Sequence, residues 1–203
     1  MRAAVVDYGA GNLRSVERAF QCVGFQTRRV DRPEALRDED VIVLPGVGAF
    51  GPAADRLRKT GFMDALRAEV KRGRWLVGLC LGMQLLFEES EEEGRHEGLK
   101  LLRGRVVRLP EGRKIPHMGW NTLEFERPSP FTAAIRPGSH VYFVHSYYVL
   151  AEPSQVVAWT EYGVRIPAIV ALDRVVGFQF HPEKSSRVGL ALLRSLRDLV
   201  GTW

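Results

Sequence analysis

Cysteine, asparagine and long apolar runs are what this chain has least of. Two cysteines, Cys22 and Cys80, occur in 203 residues. That is too few for a disulfide framework, and a chain of this length can bury a core without one. A reducing, cytoplasmic setting is expected. No stretch approaches the roughly 20 apolar residues that cross a bilayer, and Ala3-Ala4-Val5-Val6 reads as a strand rather than a signal peptide, so no membrane association is expected. Asparagine stands only at 12 and 121, and arginine is favoured over lysine, a bias that suits thermophily or a GC-rich genome equally. The formal net charge is +5, but arginines are spread among acids and no dense basic run carries interleaved aromatics. Nucleic acid is not an expected partner. With no repeat and no low-complexity linker, residues 1–203 read as one domain.

What is present is an alternation of strands and helices. Ala3 to Asp7 reads as a buried strand, and Leu13, Val16, Phe20 and Val23 follow at helical spacing up to Gly24. On that helix Cys22 reads as core. Phe25–Val30 and Val41–Leu44 are the next strands, helical patterns fill residues 52 to 72, and Trp75-Leu76-Val77-Gly78-Leu79 is a further buried strand. Strand and helix in turn imply an open, mostly parallel α/β sheet with flanking helices, its functional loops at the strand C-termini. After residue 98 the texture changes to short pieces such as 105–109, 140–144 and 155–159, read as an added antiparallel segment. Ile169–Leu172 and Val175–Phe180 form a hairpin, and a last helix covers about 187 to 200.

Cys80 sits where the strand Trp75–Leu79 turns into the helical pattern of Met83, Leu85, Leu86 and Phe87. The spacing G-x-C-x-G around it is a thiol version of the nucleophile elbow. A helix N-terminus behind the thiol favours thiolate. A nucleophile needs a base, and the base needs an orienting group. Of five histidines, His181 stands at a strand end, with Glu183 two residues on, so in an extended backbone both face one side. The acidic run 88–93 reads as a helix end in solvent, and His117–Asn121 as a loop without assigned chemistry.

Gly78-Leu79-Cys80-Leu81-Gly82-Met83-Gln84 together with Gln179-Phe180-His181-Pro182-Glu183 resembles the signature of class I, or triad, glutamine amidotransferases. Asp7-Tyr8-Gly9-Ala10-Gly11-Asn12-Leu13, Pro45-Gly46-Val47-Gly48-Ala49-Phe50, His117-Met118-Gly119-Trp120-Asn121 and Lys184-Ser185-Ser186 narrow the resemblance to the glutaminase subunits of imidazole glycerol phosphate synthase, over essentially the whole chain. It implies the flavodoxin-like fold of that family and no cofactor or metal. Cys80, His181 and Glu183 would be the catalytic triad, and the N–H groups of Val47 and Leu81 the oxyanion hole. Gly48, Gln84, Glu92, Ser146 and Tyr147 would hold glutamine. Asn12, Tyr142 and Lys184 would meet a separate (β/α)8 cyclase subunit in a heterodimer. Two alternatives stay open at this point: the glutaminase of another biosynthetic pathway, and a non-catalytic domain whose elbow cysteine is oxidised.

Overall fold

Val5 and Val6 are neighbours in the chain, yet they belong to different cores. The computed structural model describes residues 1–36 and 39–202. In chain order the elements are β1 (Arg2–Val6), α1 (Leu13–Cys22), β2 (Gln26–Val30), β3 (Val41–Leu44), α2 (Phe50–Lys59), α3 (Phe62–Lys71), β4 (Trp75–Leu79), α4 (Leu81–Gln84), β5 (Glu89–Ser90), β6 (His96–Glu97), β7 (Gly104–Arg108), β8 (His117–Phe125), β9 (Ser139–His145), β10 (Tyr147–Ala151), β11 (Val156–Glu161), β12 (Arg165–Leu172), β13 (Val175–Phe178) and α5 (Ser186–Val200). Side chains alternate along a strand. Ala3, Val5, Val41, Val43 and Val77 therefore pack on one side with Phe20 of α1 and Leu192 and Leu196 of α5. Ala4, Val6, Ile42, Leu44 and Leu76 pack on the other with Leu57 of α2 and Leu66 of α3. A strand buried on both faces is apolar at every position, which is why these runs are continuous rather than alternating.

The main sheet has the order β2-β1-β3-β4-β13-β12-β11-β8-β9. Its first five strands are parallel, and the pairings from β13 to β9 are antiparallel. The added antiparallel strands extend the same sheet, while β10, β7, β5 and β6 make a small second sheet. β13 lies next to β4 in register, with Gly177 opposite Gly78 and Phe178 opposite Leu79. This pairing brings the C-terminal ends of two strands, nearly a hundred residues apart in the chain, to one edge of the sheet.

Several local expectations need correction. The helical stretch 52–72 is two helices, parted at Gly61, whose φ of 78° is left-handed. The helix behind Cys80 is a single turn, α4, so little helix dipole stands behind the thiol. Cys22 is exposed, not core; it lies two residues past Phe20, about 200° around the helix, and so points away from the buried face. Residues 117–121 form the start of β8 rather than a loop, and Glu89–Ser90 is strand β5 rather than a helix end. Among the described residues no helix is long and apolar enough to cross a membrane.

Candidate active site

Cys80 has φ 54° and ψ −110°, a left-handed backbone that side chains with a Cβ rarely adopt. It is held there from both sides: its N–H donates to the Phe178 carbonyl (2.7 Å), and its carbonyl accepts from Gln84 N–H (3.2 Å). The turn also requires its glycine neighbour. A Cβ on Gly82 would overlap the Leu44 carbonyl, and one on Gly46 would stand 2.8 Å from the Gly82 nitrogen. The elbow and the Pro45–Gly48 loop after β3 are therefore in backbone contact. Tyr8 fixes that loop further, its hydroxyl donating to the Pro45 carbonyl at 3.0 Å. Burial pushes the Tyr8 phenol well up, so it stays a neutral donor.

His181 follows β13 and is extended, at φ −97° and ψ 97°, after which Pro182–Lys184 form a turn of 3₁₀ helix. This turn, not a continued strand, brings the Glu183 carboxylate to His181, with Nδ1 and Oε1 2.7 Å apart. The segment is seated on β9: His181 N–H donates to the Tyr142 carbonyl (2.9 Å), and Tyr142 N–H to the Ser185 hydroxyl (3.0 Å). Burial by itself pushes the His181 imidazole down. The hydrogen-bonding and charge interactions with Cys80 and Glu183 outweigh it and raise His181 to about 9. The Cys80 thiol also contacts the Val144 carbonyl at 3.7 Å.

Cys80 and His181 line one cavity of about 300 Å³, together with Val47, Gly48, Leu81, Gln84, Glu92, Pro116, Val144, His145, Ser146 and Tyr147. Every residue that the sequence implied for the oxyanion hole and for glutamine lies on this wall. Leu81 opens α4, so its N–H has no intrahelical acceptor. Val47 lies outside the left-handed region and is exposed. Gln84 donates through Nε2 to the Tyr147 carbonyl (2.9 Å) and to Gln179 Oε1 (3.1 Å). Glu92 departs from the solvated run around it: its carboxylate accepts from Phe50 N–H at the start of α2 (2.7 Å). Burial raises its pKa, and the Phe50 N–H partly opposes this. Sequence reading missed Pro116, Val144 and His145. His145 was visible as a histidine, but only the β8–β9 pairing, which sets it opposite His117, brings it to the site.

Asn12 and Lys184 are exposed and Tyr142 is half-buried. They are joined by two residues that sequence reading left without a role, Met118 and Trp120, 62% and 54% exposed. Met118 pairs with Val144 and Trp120 with Tyr142 across β8 and β9. The Trp120 and Tyr142 rings lie 6.0 Å apart, edge to face. One face of this ribbon thus carries an apolar patch continuous with Val144 of the cavity wall.

The profile of the family described as "Glutamine amidotransferase class-I" matches residues 4–195. Proteins described as "Imidazole glycerol phosphate synthase subunit HisH" are 52% identical in Geobacillus thermodenitrificans (97% of this chain, 95% of that one) and 46% identical in Caldanaerobacter subterraneus (97% of each). The chain belongs to the class-I glutamine amidotransferases, among the HisH subunits of imidazole glycerol phosphate synthase. The same class-I fold is shared with a crystal structure described as glutamine amidotransferase, at a TM-score of 0.78 and 24% identity over 98% of each chain. It is shared equally with PurLQS from Thermotoga maritima, at 0.78 and 23% over 98% of each.

Proposed function

We propose that this chain hydrolyses the side-chain amide of glutamine at Cys80 and hands the ammonia to a (β/α)8 cyclase subunit in histidine biosynthesis. The observation that carries the reading is the strained Cys80 sharing one small cavity with His181, whose other ring nitrogen is held by Glu183. The thiolate attacks the amide carbon, and the N–H groups of Leu81 and Val47 receive the negative charge on oxygen. His181 gives its proton to the departing nitrogen, ammonia leaves, and a thioester remains on Cys80. Water, deprotonated by His181, adds to the thioester, and glutamate departs as the thiol is restored. Glu183 keeps the ring oriented and stabilises its charged form. Gln84, Glu92, Gly48 and the backbone of Ser146 and Tyr147 hold the amino-acid end of the substrate.

Ammonia is useful only if it reaches an acceptor before water protonates it. The relatives are described as one subunit of imidazole glycerol phosphate synthase, which supports an acceptor on a partner: the cyclase that binds a phosphorylated ribulosyl aminoimidazole carboxamide and releases imidazole glycerol phosphate and aminoimidazole carboxamide ribotide. The partner docks on the Met118–Trp120–Tyr142 face, and the family resemblance adds Asn12 and Lys184 to its contacts. The test is glutamine turnover with the cyclase present. Cys80→Ala is expected to abolish glutamate release and thioester trapping together; normal turnover in that variant would overturn the reading.

A further inference from the structure

Two buried histidines beside the cavity take no part in the chemistry above, and their hydrogen bonds can be followed proton by proton. Asn121 accepts Thr122 N–H at Oδ1 (2.8 Å) and donates from Nδ2 to the Glu161 carbonyl (2.9 Å), so its amide orientation is fixed. The same Nδ2 lies 3.2 Å from His117 Nε2 and turns its other proton to it, so Nε2 must accept. A neutral imidazole carries one proton. That of His117 therefore sits on Nδ1, 2.9 Å from His145 Nε2, which must accept in turn. The His145 proton then sits on Nδ1, 2.9 Å from the Tyr147 carbonyl. Read from the other end the result is the same, because a carbonyl can only accept. Both ends agree only if both rings are neutral Nδ1–H tautomers.

We propose that His117 and His145 are positioning residues for the glutamine pocket, a one-way hydrogen-bond relay from Asn121 that fixes the Tyr147 carbonyl and, through it, Gln84. Leu109 N–H bonds the Ser146 carbonyl (2.9 Å) while Tyr147 pairs with Arg108. Tyr147 is therefore at a non-hydrogen-bonded pair position, and its own N–H and carbonyl turn away from β7. The carbonyl is filled by two donors, His145 Nδ1 and Gln84 Nε2. Removing the His145 donor frees that peptide plane and loosens Gln84, both on the cavity wall. Burial holds both rings well below the usual histidine value, which keeps the relay neutral at physiological pH. The His117 ring is further clamped between Phe143 and Tyr162, at centroid distances of 4.7 and 4.0 Å.

The inference rests on the glutaminase reading, and its test separates the two. With wild-type protein in complex with the cyclase, absence of glutamine turnover would sink that reading itself. Given turnover, His117→Phe keeps the ring stack but leaves His145 free to move its proton to Nε2, which turns a lone pair on the Tyr147 carbonyl. KM for glutamine is expected to rise about tenfold, with kcat and the rate of Cys80 alkylation by iodoacetamide within about twofold of wild type. His117→Asn presents an amide donor near the Nδ1 position and is expected to restore most of the affinity. Nitrogen-15 NMR of the wild-type histidine rings, which needs no variant, should show Nδ1–H for both. An Nε2–H tautomer on either ring, an unchanged KM in His117→Phe, or a loss confined to kcat would overturn the relay.

Discussion

Holding Cys80 at φ 54° costs on the order of 1–3 kcal/mol, and the turn so held places Cys80 with His181 on one cavity wall. In the proposed mechanism the thiol and imidazole act as one acid–base pair, so the basicity of His181 would set the alkaline limit of the reaction. Burial lowers His181, whereas Cys80 and Glu183 raise it, to about 9. Glu183→Gln keeps an acceptor for Nδ1 but removes the charge that favours imidazolium. The alkaline limb of kcat/KM for glutamine is therefore expected to move down from about 9, toward the ordinary histidine value, with kcat about 10- to 100-fold lower. Cys80 alkylation measured against pH checks the shift without relying on turnover; an unmoved alkaline limb would mean that Glu183 does not support the charged ring. Cys80, His181 and Glu183 were legible in the sequence because their geometry is local: two glycines about one thiol, and a carboxylate two residues from an imidazole. His117 and His145 were not, because they are 28 residues apart and only strand pairing joins them. Glu92 could be placed only by resemblance, since five polar neighbours hide the one carboxylate that reaches Phe50 N–H.

At the scale of elements, the site is the crossing point of three strand ends. β3 leads into the Pro45–Gly48 loop, β4 into Cys80, and β13 into His181, and the pairings β3–β4 and β4–β13 bring them side by side. The parallel strands were legible because burial on both faces leaves uninterrupted apolar runs. The order of the antiparallel strands was not, since β8 pairs with β11 and β9 rather than with its neighbours before it in the chain. No local pattern encodes that choice. The close approach of elbow and loop makes Gly82 the most sensitive backbone position in this arrangement. Gly82→Ala must push the Leu44 carbonyl away from a new methyl group, at a cost of about 1–3 kcal/mol for overpacking. For a chain of this size that corresponds to a Tm lower by roughly 2–4 °C per kcal/mol. It should also widen the gap between the Leu81 and Val47 N–H groups, and acylation should fall about 100-fold, the effect of losing one oxyanion donor. Thermal unfolding and a single-turnover thioester assay read the two effects separately. A lowered Tm with normal acylation would show that the loop moves without carrying an oxyanion donor away.

For the molecule as a whole, the sheet has two unlike ends. β2, at one end, carries charged pairs such as Arg29–Glu17, the kind of side chain that blunts an edge strand. At the other end the β8–β9 ribbon has its backbone edge occupied by the His181–Ser185 segment, while one of its faces leaves Met118 and Trp120 bare. Single exposed apolar side chains are ordinary. A tryptophan and a methionine on alternate positions of one strand, continuous through Tyr142 and Val144 with the cavity wall, form the kind of patch that marks an interface. Trp120 is its largest member and the type of residue that most often dominates binding energy. In the isolated chain it is 54% exposed and meets the Tyr142 ring edge to face, so Trp120→Ala should leave its Tm within about 1 °C, since surface changes of this kind stay within roughly 0.5 kcal/mol. The Kd for the cyclase should rise at least tenfold, the range expected of an anchor aromatic. Any stimulation of glutaminase activity should then be recovered by raising the cyclase concentration, because the variant loses affinity and not chemistry. Titration calorimetry and turnover against cyclase concentration measure both quantities. An unchanged Kd would move the docking face elsewhere on the molecule, and a turnover deficit that persists at saturating cyclase would mean that Trp120 also shapes the bound pocket, through the ribbon that carries Tyr142 over the backbone of His181.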